Sequence, residues 1–299
     1  MNSLQNTIRL SHKGQHFVGE FRAMASTCEI LMETSDEKLA RKLTEIAKNE
    51  ALRIEKKFSR YKTDNIIYQI NTANGSAIEV DEETAHLIDY ASLCHQLSDG
   101  LFDISSGVLR RAWKFDNSIT FPTPSAIDAL IPFIGWQKVN WQKPILTMPK
   151  RMEIDLGGIG KEYAVDKTLN MLINHSDIPV LVNFGGDLAV SGSQLNGAPW
   201  QVGIETPDDN ANAKHILEIS AGALATSGDA KRYLLHQGKR YGHILNPKTG
   251  YPIEQAPRSI TVAGSTCVQA GTLSTLAMLQ GAKAEEFLTN QQTLYWCLR

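Results

Sequence analysis

Along residues 35–61 the apolar side chains Leu39, Leu43, Ile46, Ala47, Ile54 and Phe58 recur at intervals of three and four or their multiples. That is the spacing of a buried stripe on one long helix. Ser35 and Asp36, just ahead of it, supply an N-cap signal. Residues 82–98 repeat the pattern through Leu87, Ala91, Cys94 and Leu97, and Asp99-Gly100 stops it. The last third changes period: residues 200–204, 217–219, 233–235, 241–245 and 259–263 read as short strands divided by turn signals, the pattern of antiparallel hairpins. Between these regions, residues 152–155 lead into a glycine-rich turn, a helix from about residue 160 and a buried strand at 180–184. Helical spacing returns over 269–288, with Gln280-Gly281 at a helix end. Residues 116–149 are rich in Pro, Trp and Asn, and read as a surface connection, a seam between two lobes, leading into a strand at 145–148.

A chain of 299 residues amounts to about two units at roughly 150 residues per domain, or one large fold with two lobes. With 42% hydrophobic and 21% charged residues it is neither disordered, collagenous nor a coiled coil. Thirty basic residues face thirty-two acidic ones with no Lys/Arg-rich block, which argues against a general binder of nucleic acid or anionic membrane. Cysteines 28, 94, 267 and 297 form no CxxC pair and no zinc-site spacing, so they read as small buried hydrophobes in a reducing compartment. The N-terminus offers no apolar signal core, and the apolar runs fall far short of the ~20 residues of a membrane span. The expected location is the cytoplasm.

Three polar, glycine-rich segments stand where a strand is expected to give way to a turn: DLGGIGK (155–161), NFGGD (183–187) and TSGD (226–229). Turns of this kind bring backbone N–H groups close to a phosphate, and a following helix N-terminus adds the positive end of its dipole. Lys161 makes the first the best anion site. It is not a Walker A loop, because Asp155 and Glu162 stand where that motif needs Gly and Ser/Thr. Any one such turn is as readily a plain connection; three together point to a phosphate-bearing ligand.

His243 lies in a strand-like stretch running into the turn Asn246-Pro247-Lys248-Thr249-Gly250, placed to accept a proton from an attacking hydroxyl. His86, His95 and His236 read as structural. Phe58-Ser59-Arg60-Tyr61 and Asp99-Gly100-Leu101-Phe102-Asp103 each put an aromatic and a polar group at a helix rim, suited to stacking on a planar ring or equally to a core beside a cap.

In chain order, MASTCEI (24–30), FSRY (58–61), GLFDISSG (100–107), EIDLGGIGKEYAVD (153–166), LVNFGGD (181–187), ATSGD (225–229), GHILNPKTGYP (242–252) and LST (273–275) resemble the FAD:protein FMN transferase family, also called ApbE. The resemblance implies one domain over residues 1–299, with an α+β, duplicated T-fold-like architecture, two lobes and antiparallel sheets. This agrees with the mix of helices and hairpins. It further implies a magnesium-dependent enzyme that attaches the FMN half of FAD to a Ser or Thr of a target flavoprotein and releases AMP. Carried over by position, Met24, Tyr61, Leu101, Phe102, Asp103, Asp155, Lys161 and Thr226 resemble flavin or pyrophosphate contacts, and His243 resembles the general base. The metal would be held by the Gly158 carbonyl, Ser274 and Thr275. The chain departs from the family pattern at Gly271, where the family has a metal-binding aspartate; at Glu162, where Gly is usual; and at Ala25, commonly Gly. Gly271 keeps two other readings open: a non-catalytic FAD-binding relative, and an FAD hydrolase giving FMN and AMP.

Overall fold

The computed structural model describes residues 7–14, 16–115, 121–205, 213–229 and 233–299. The chain opens on three antiparallel strands, β1 (Arg9–Lys13), β2 (His16–Ala23) and β3 (Ser26–Met32). The expected elements begin only at residue 35, yet Cys28, Ile30 and Met32 alternate strictly inward, the period of a half-buried strand. Met24 and Ala25 form the two-residue turn between β2 and β3, both with positive φ (52° and 58°), as a type I′ hairpin requires.

Helix α1 (Glu37–Phe58) follows the expected stripe, burying Ala40, Leu43, Ala47, Ala51, Ile54 and Phe58. Asp36 caps it, accepting from the backbone N–H groups of Lys38 and Leu39. Next come α2 (Ile66–Thr72), β4 (Ala77–Glu79) and α3 (Glu82–Leu97), the last capped by Asp81 and closed by left-handed Asp99 and Gly100.

The expected surface connection is mostly exposed, as read, but it also sends several side chains into the core. A 3₁₀ turn at Ile104–Arg111 leads to α4 (Pro124–Asp128), β5 (Asn140–Gln142) and β6 (Ile145–Thr147). Within that stretch Ile127, Leu130, Ile134 and Trp136 are core residues, while 116–120 lie outside the described residues. Ile127, Leu130 and Ile134 join Val108, Leu109, Trp113 and Leu234 in an apolar cluster of their own. Its weak periodicity in sequence reflects short turns, each burying only one or two side chains.

Residues 152–155 belong to no strand; the Asn71 amide takes the place of a strand neighbour by bonding both the N–H and the C=O of Ile154. Helix α5 (Gly160–Ile173) leads to β7 (Val180–Phe184), β8 (Asp187–Val190), β9 (Trp200–Glu205), β10 (Ala213–Ile219) and β11 (Gly222–Gly228). After β12 (Tyr233–His236), β13 (Lys239–Gly242) and β14 (Ser259–Gly264) come α6 (Cys267–Leu279), α7 (Ala284–Asn290) and β15 (Tyr295–Leu298). Two sequence expectations need correction. Thr226, Ser227 and Gly228 are strand residues paired with β14, so TSGD is not a turn before its aspartate. Strand β13 ends at Gly242, leaving His243 in a bend beyond it.

One eight-stranded antiparallel sheet, ordered β1-β2-β3-β7-β8-β11-β14-β15, draws on both ends of the chain. Helices α1, α5 and α6 lie side by side over one face, above β2, β7–β8 and β11–β14 respectively. Leu181, Leu188, Val190 and Leu224 form a separate cluster with Trp200 and Ile219 of the β9–β10 hairpin. Alternation makes this two-sided burial possible: Val182 and Phe184 belong to the main core, Leu181 to the other cluster. Cys28, Cys94 and Cys267 are buried free thiols, and burial pushes the first two up to about 11, so they behave as small hydrophobes. Among the described residues no helix is long and apolar enough to cross a membrane.

Candidate functional site

The glycine turn before α5 is the hub. Asp155 enters it with one carboxylate oxygen 2.6 Å from Arg60 Nη1 and the other accepting the Gly157 N–H at 3.0 Å. Gly107 allows this approach, since a Cβ there would lie 2.7 Å from Asp155 Cβ. Arg60 also donates to the Tyr61 hydroxyl at 3.0 Å and lies over the Tyr61 ring, which is 74% exposed and free to meet a planar partner. Arg60 is a site residue missed among the sequence candidates; its place in FSRY, ahead of an aromatic, was the available signal.

Gly158 rests on the Phe102 ring, 3.3 Å from the position of an added Cβ. Phe102 is only 6% exposed, so it forms the floor under the glycine turn rather than a stacking face. Half-buried Leu101 packs against the same core. The Asp103 carboxylate is engaged by Ser105 and by the Trp136 N–H, with His95 Nε2 at 3.5 Å, so it braces the loop from within.

Beyond the turn, α5 begins without a side-chain cap, and its Gly160 N–H donates to the Leu156 carbonyl at 2.8 Å. Lys161 Nζ lies 2.8 Å from Asp187 Oδ2. Burial alone would lower this ammonium, but the charge and hydrogen bond of Asp187 outweigh it and hold it above its ordinary value. Asp187 is carried into place by the Gly185-Gly186 hairpin turn between β7 and β8, and its other oxygen accepts the Thr226 N–H at 3.0 Å. The Thr226 hydroxyl shares a hydrogen bond with Thr261 at 2.8 Å.

Glu162 points inward toward α6. A Cβ on Gly271 would sit 2.5 Å from Glu162 Cγ, so this carboxylate fills the space that a side chain at 271 would take. Desolvation, then the nearby Asp187 charge, push Glu162 up to about 8. Its Oε2 is buried without a hydrogen-bond partner. On α6 the Ser274 hydroxyl donates to the Gly271 carbonyl at 2.9 Å, and Ser227 on β11 bonds both Ser274 (2.8 Å) and Thr275 (2.9 Å). These groups fit a hard cation, which takes oxygen ligands and compensates buried carboxylates. No cluster of three or more His, Cys, Asp or Glu suited to a metal occurs among the described residues. A cation here would rely on hydroxyl and carbonyl oxygens beside a carboxylate.

The Met24 N–H donates to Glu55 Oε2 at 2.8 Å, and Ser26 abuts Gly185, linking the β2–β3 turn to the β7–β8 turn. His243 is half-buried, edge-on to Phe115 with ring centroids 6.3 Å apart. Its loop is held by the Trp113 indole N–H donating to the Gly250 carbonyl at 2.7 Å, and by Lys248 reaching Asp99 at 3.3 Å. Asp229, from the third glycine segment, is engaged by Arg240 at 2.9 Å and stands 3.6 Å from Arg258, so it serves the fold rather than an anion. A lysine, a helix N-terminus, hydroxyls and buried carboxylates thus stand on adjoining elements around one glycine turn.

Residues 24–297 match the model of the ApbE family. The FAD:protein FMN transferase of Salmonella typhimurium is 31% identical over 245 residues, covering 78% of this chain and 70% of that protein. The one from Haemophilus influenzae is 29% identical over 257 residues, or 81% and 74%. The crystal structure of the ApbE protein from Thermotoga maritima superimposes with a TM-score of 0.86 at 28% identity, covering 95% of this chain and 94% of that one. The chain belongs to the ApbE family.

Proposed function

We propose that this protein binds FAD and transfers its FMN half to a Ser or Thr hydroxyl of an acceptor flavoprotein, releasing AMP. The observation that carries this reading is the convergence, about one glycine turn, of motif segments far apart in the chain, in a protein whose relatives are named for that activity.

The acceptor hydroxyl oxygen attacks the phosphorus of the FMN half, the bond to the AMP phosphate breaks, and the hydroxyl proton passes to His243. Lys161 and the first turn of α5 offset charge on the pyrophosphate. Asp155, steadied by Arg60, accepts hydrogen bonds from the ligand's hydroxyl or ring N–H groups, and Tyr61 stacks on a ring. Met24, Leu101, Phe102, Asp103 and Thr226 shape the walls and floor of the site. The Gly158 carbonyl, Ser274 and Thr275 would hold Mg²⁺, which when bound draws charge from the phosphates. Residues 1–299 act as one unit, a reading supported by a sheet that spans from β1 to β15. The free cysteines suit the cytoplasm.

The test is mass spectrometry of an acceptor domain incubated with the protein, FAD and either Mg²⁺ or EDTA, with AMP followed in parallel. An FMN-sized adduct, with AMP, that disappears in EDTA is expected. In His243→Ala the adduct should form about 10²–10⁴-fold more slowly while FAD is still bound. An undiminished rate in that variant removes His243 from the proton transfer. FAD bound without adduct or AMP across several acceptors rejects the transferase.

A further inference from the structure

Glu162 is a buried carboxylate with one oxygen that no hydrogen bond uses. It is 8% exposed and leans across the start of α5 toward α6. Asp187, 1% exposed, acts on it electrostatically, and the two carboxylates share the single ammonium of Lys161. Two buried acids beside one base leave a local excess of negative charge, which a cation or a proton must balance.

Helix α6 is shaped to admit this side chain. A Cβ at Gly271 would meet Glu162 Oε1 at 2.8 Å, so any other residue there would displace the carboxylate. Thr275 stands one turn beyond Gly271 on the same helix face, and Ser274 is tied to the Gly271 carbonyl. The carboxylate thus lies against α6 at Gly271 from the neighbouring helix.

We propose that Glu162 supplies the carboxylate of a divalent-cation site, with Gly158, Ser274 and Thr275 as its partners and Gly271 kept bare to make room. Resting on the site described under the proposed function, this assigns the charged ligand to α5 instead of α6. A hard cation prefers one or two carboxylates among its oxygens, and neutral oxygens alone hold it weakly.

The experiment titrates Mn²⁺ into the FAD-loaded full chain and reads free Mn²⁺ by electron paramagnetic resonance, with melting curves as a check on folding. The wild type should bind Mn²⁺, and Glu162→Gln should weaken it by at least about tenfold. The double variant Glu162→Gly with Gly271→Asp returns a carboxylate to α6 and should recover most of the affinity. No binding by the wild type, unchanged affinity in E162Q, or a folded double variant that binds no Mn²⁺ each overturns the proposal. Transfer activity is not part of this readout. Glu162-dependent Mn²⁺ binding without any acceptor modification keeps this inference and sinks the transferase; transfer with E162Q affinity unchanged does the reverse.

Discussion

Ala25 occupies a backbone conformation that its side chain disfavours. At φ 58° its Cβ crowds the following carbonyl, a strain of about 1 kcal/mol that glycine avoids. Ala25→Gly should therefore raise stability by up to about 1 kcal/mol, seen as a higher midpoint in thermal denaturation. Lys161 presents the opposite case, since removing it strands Asp187, whose side chain is nearly inaccessible. Lys161→Met should cost about 2–4 kcal/mol, and adding Asp187→Asn should recover much of the loss. A chemical denaturation series on the two variants measures both effects.

The helices above the sheet are joined through Glu83, in the first turn of α3. Its carboxylate accepts from Arg53 and Lys57 of α1 and from the Tyr163 hydroxyl of α5. The hydrogen bond from Arg53, against some opposing burial, brings this carboxyl down to about 2 from its ordinary 4.5. A depressed carboxylate stabilises the fold fully above its unfolded value. The contribution should therefore be present above about pH 4.5 and fade as pH falls toward 2. Because Arg53 is 42% exposed, solvent screening trims the effect, and Glu83→Gln should cost about 1–2 kcal/mol at neutral pH. The gap between variant and wild type should close in denaturation curves recorded at progressively lower pH; a constant gap would contradict this account.

At the scale of the molecule, protection against hydrogen exchange should follow the sheet. Strands β3 and β7, in the interior of the eight-stranded sheet with core on the helix side, should exchange slowest. The β12–β13 hairpin is a two-stranded sheet of its own and should open first. Equal protection in the two would contradict this ordering. Much of this architecture was legible in the order of residues. The α1 and α3 stripes, the Asp36 cap of α1 and the hairpins of the last third are local properties, set by side-chain period and turn chemistry within a few residues. The N-terminal strands carried the same signal in Cys28, Ile30 and Met32. The segment around Ile127 and Trp136 did not, because each of its short turns offers too few side chains for a period to show. For the site, the glycine turn, Lys161 and Tyr61 could be picked out from sequence, whereas Arg60 as the partner of Asp155, Phe102 as a floor and Asp187 as the counter-charge of Lys161 emerge only from packing. Most dependent on the fold is the meeting of Glu162 with Gly271. Those residues lie on different helices, and only the packing of α5 against α6 over the sheet sets one side chain in the space the other lacks.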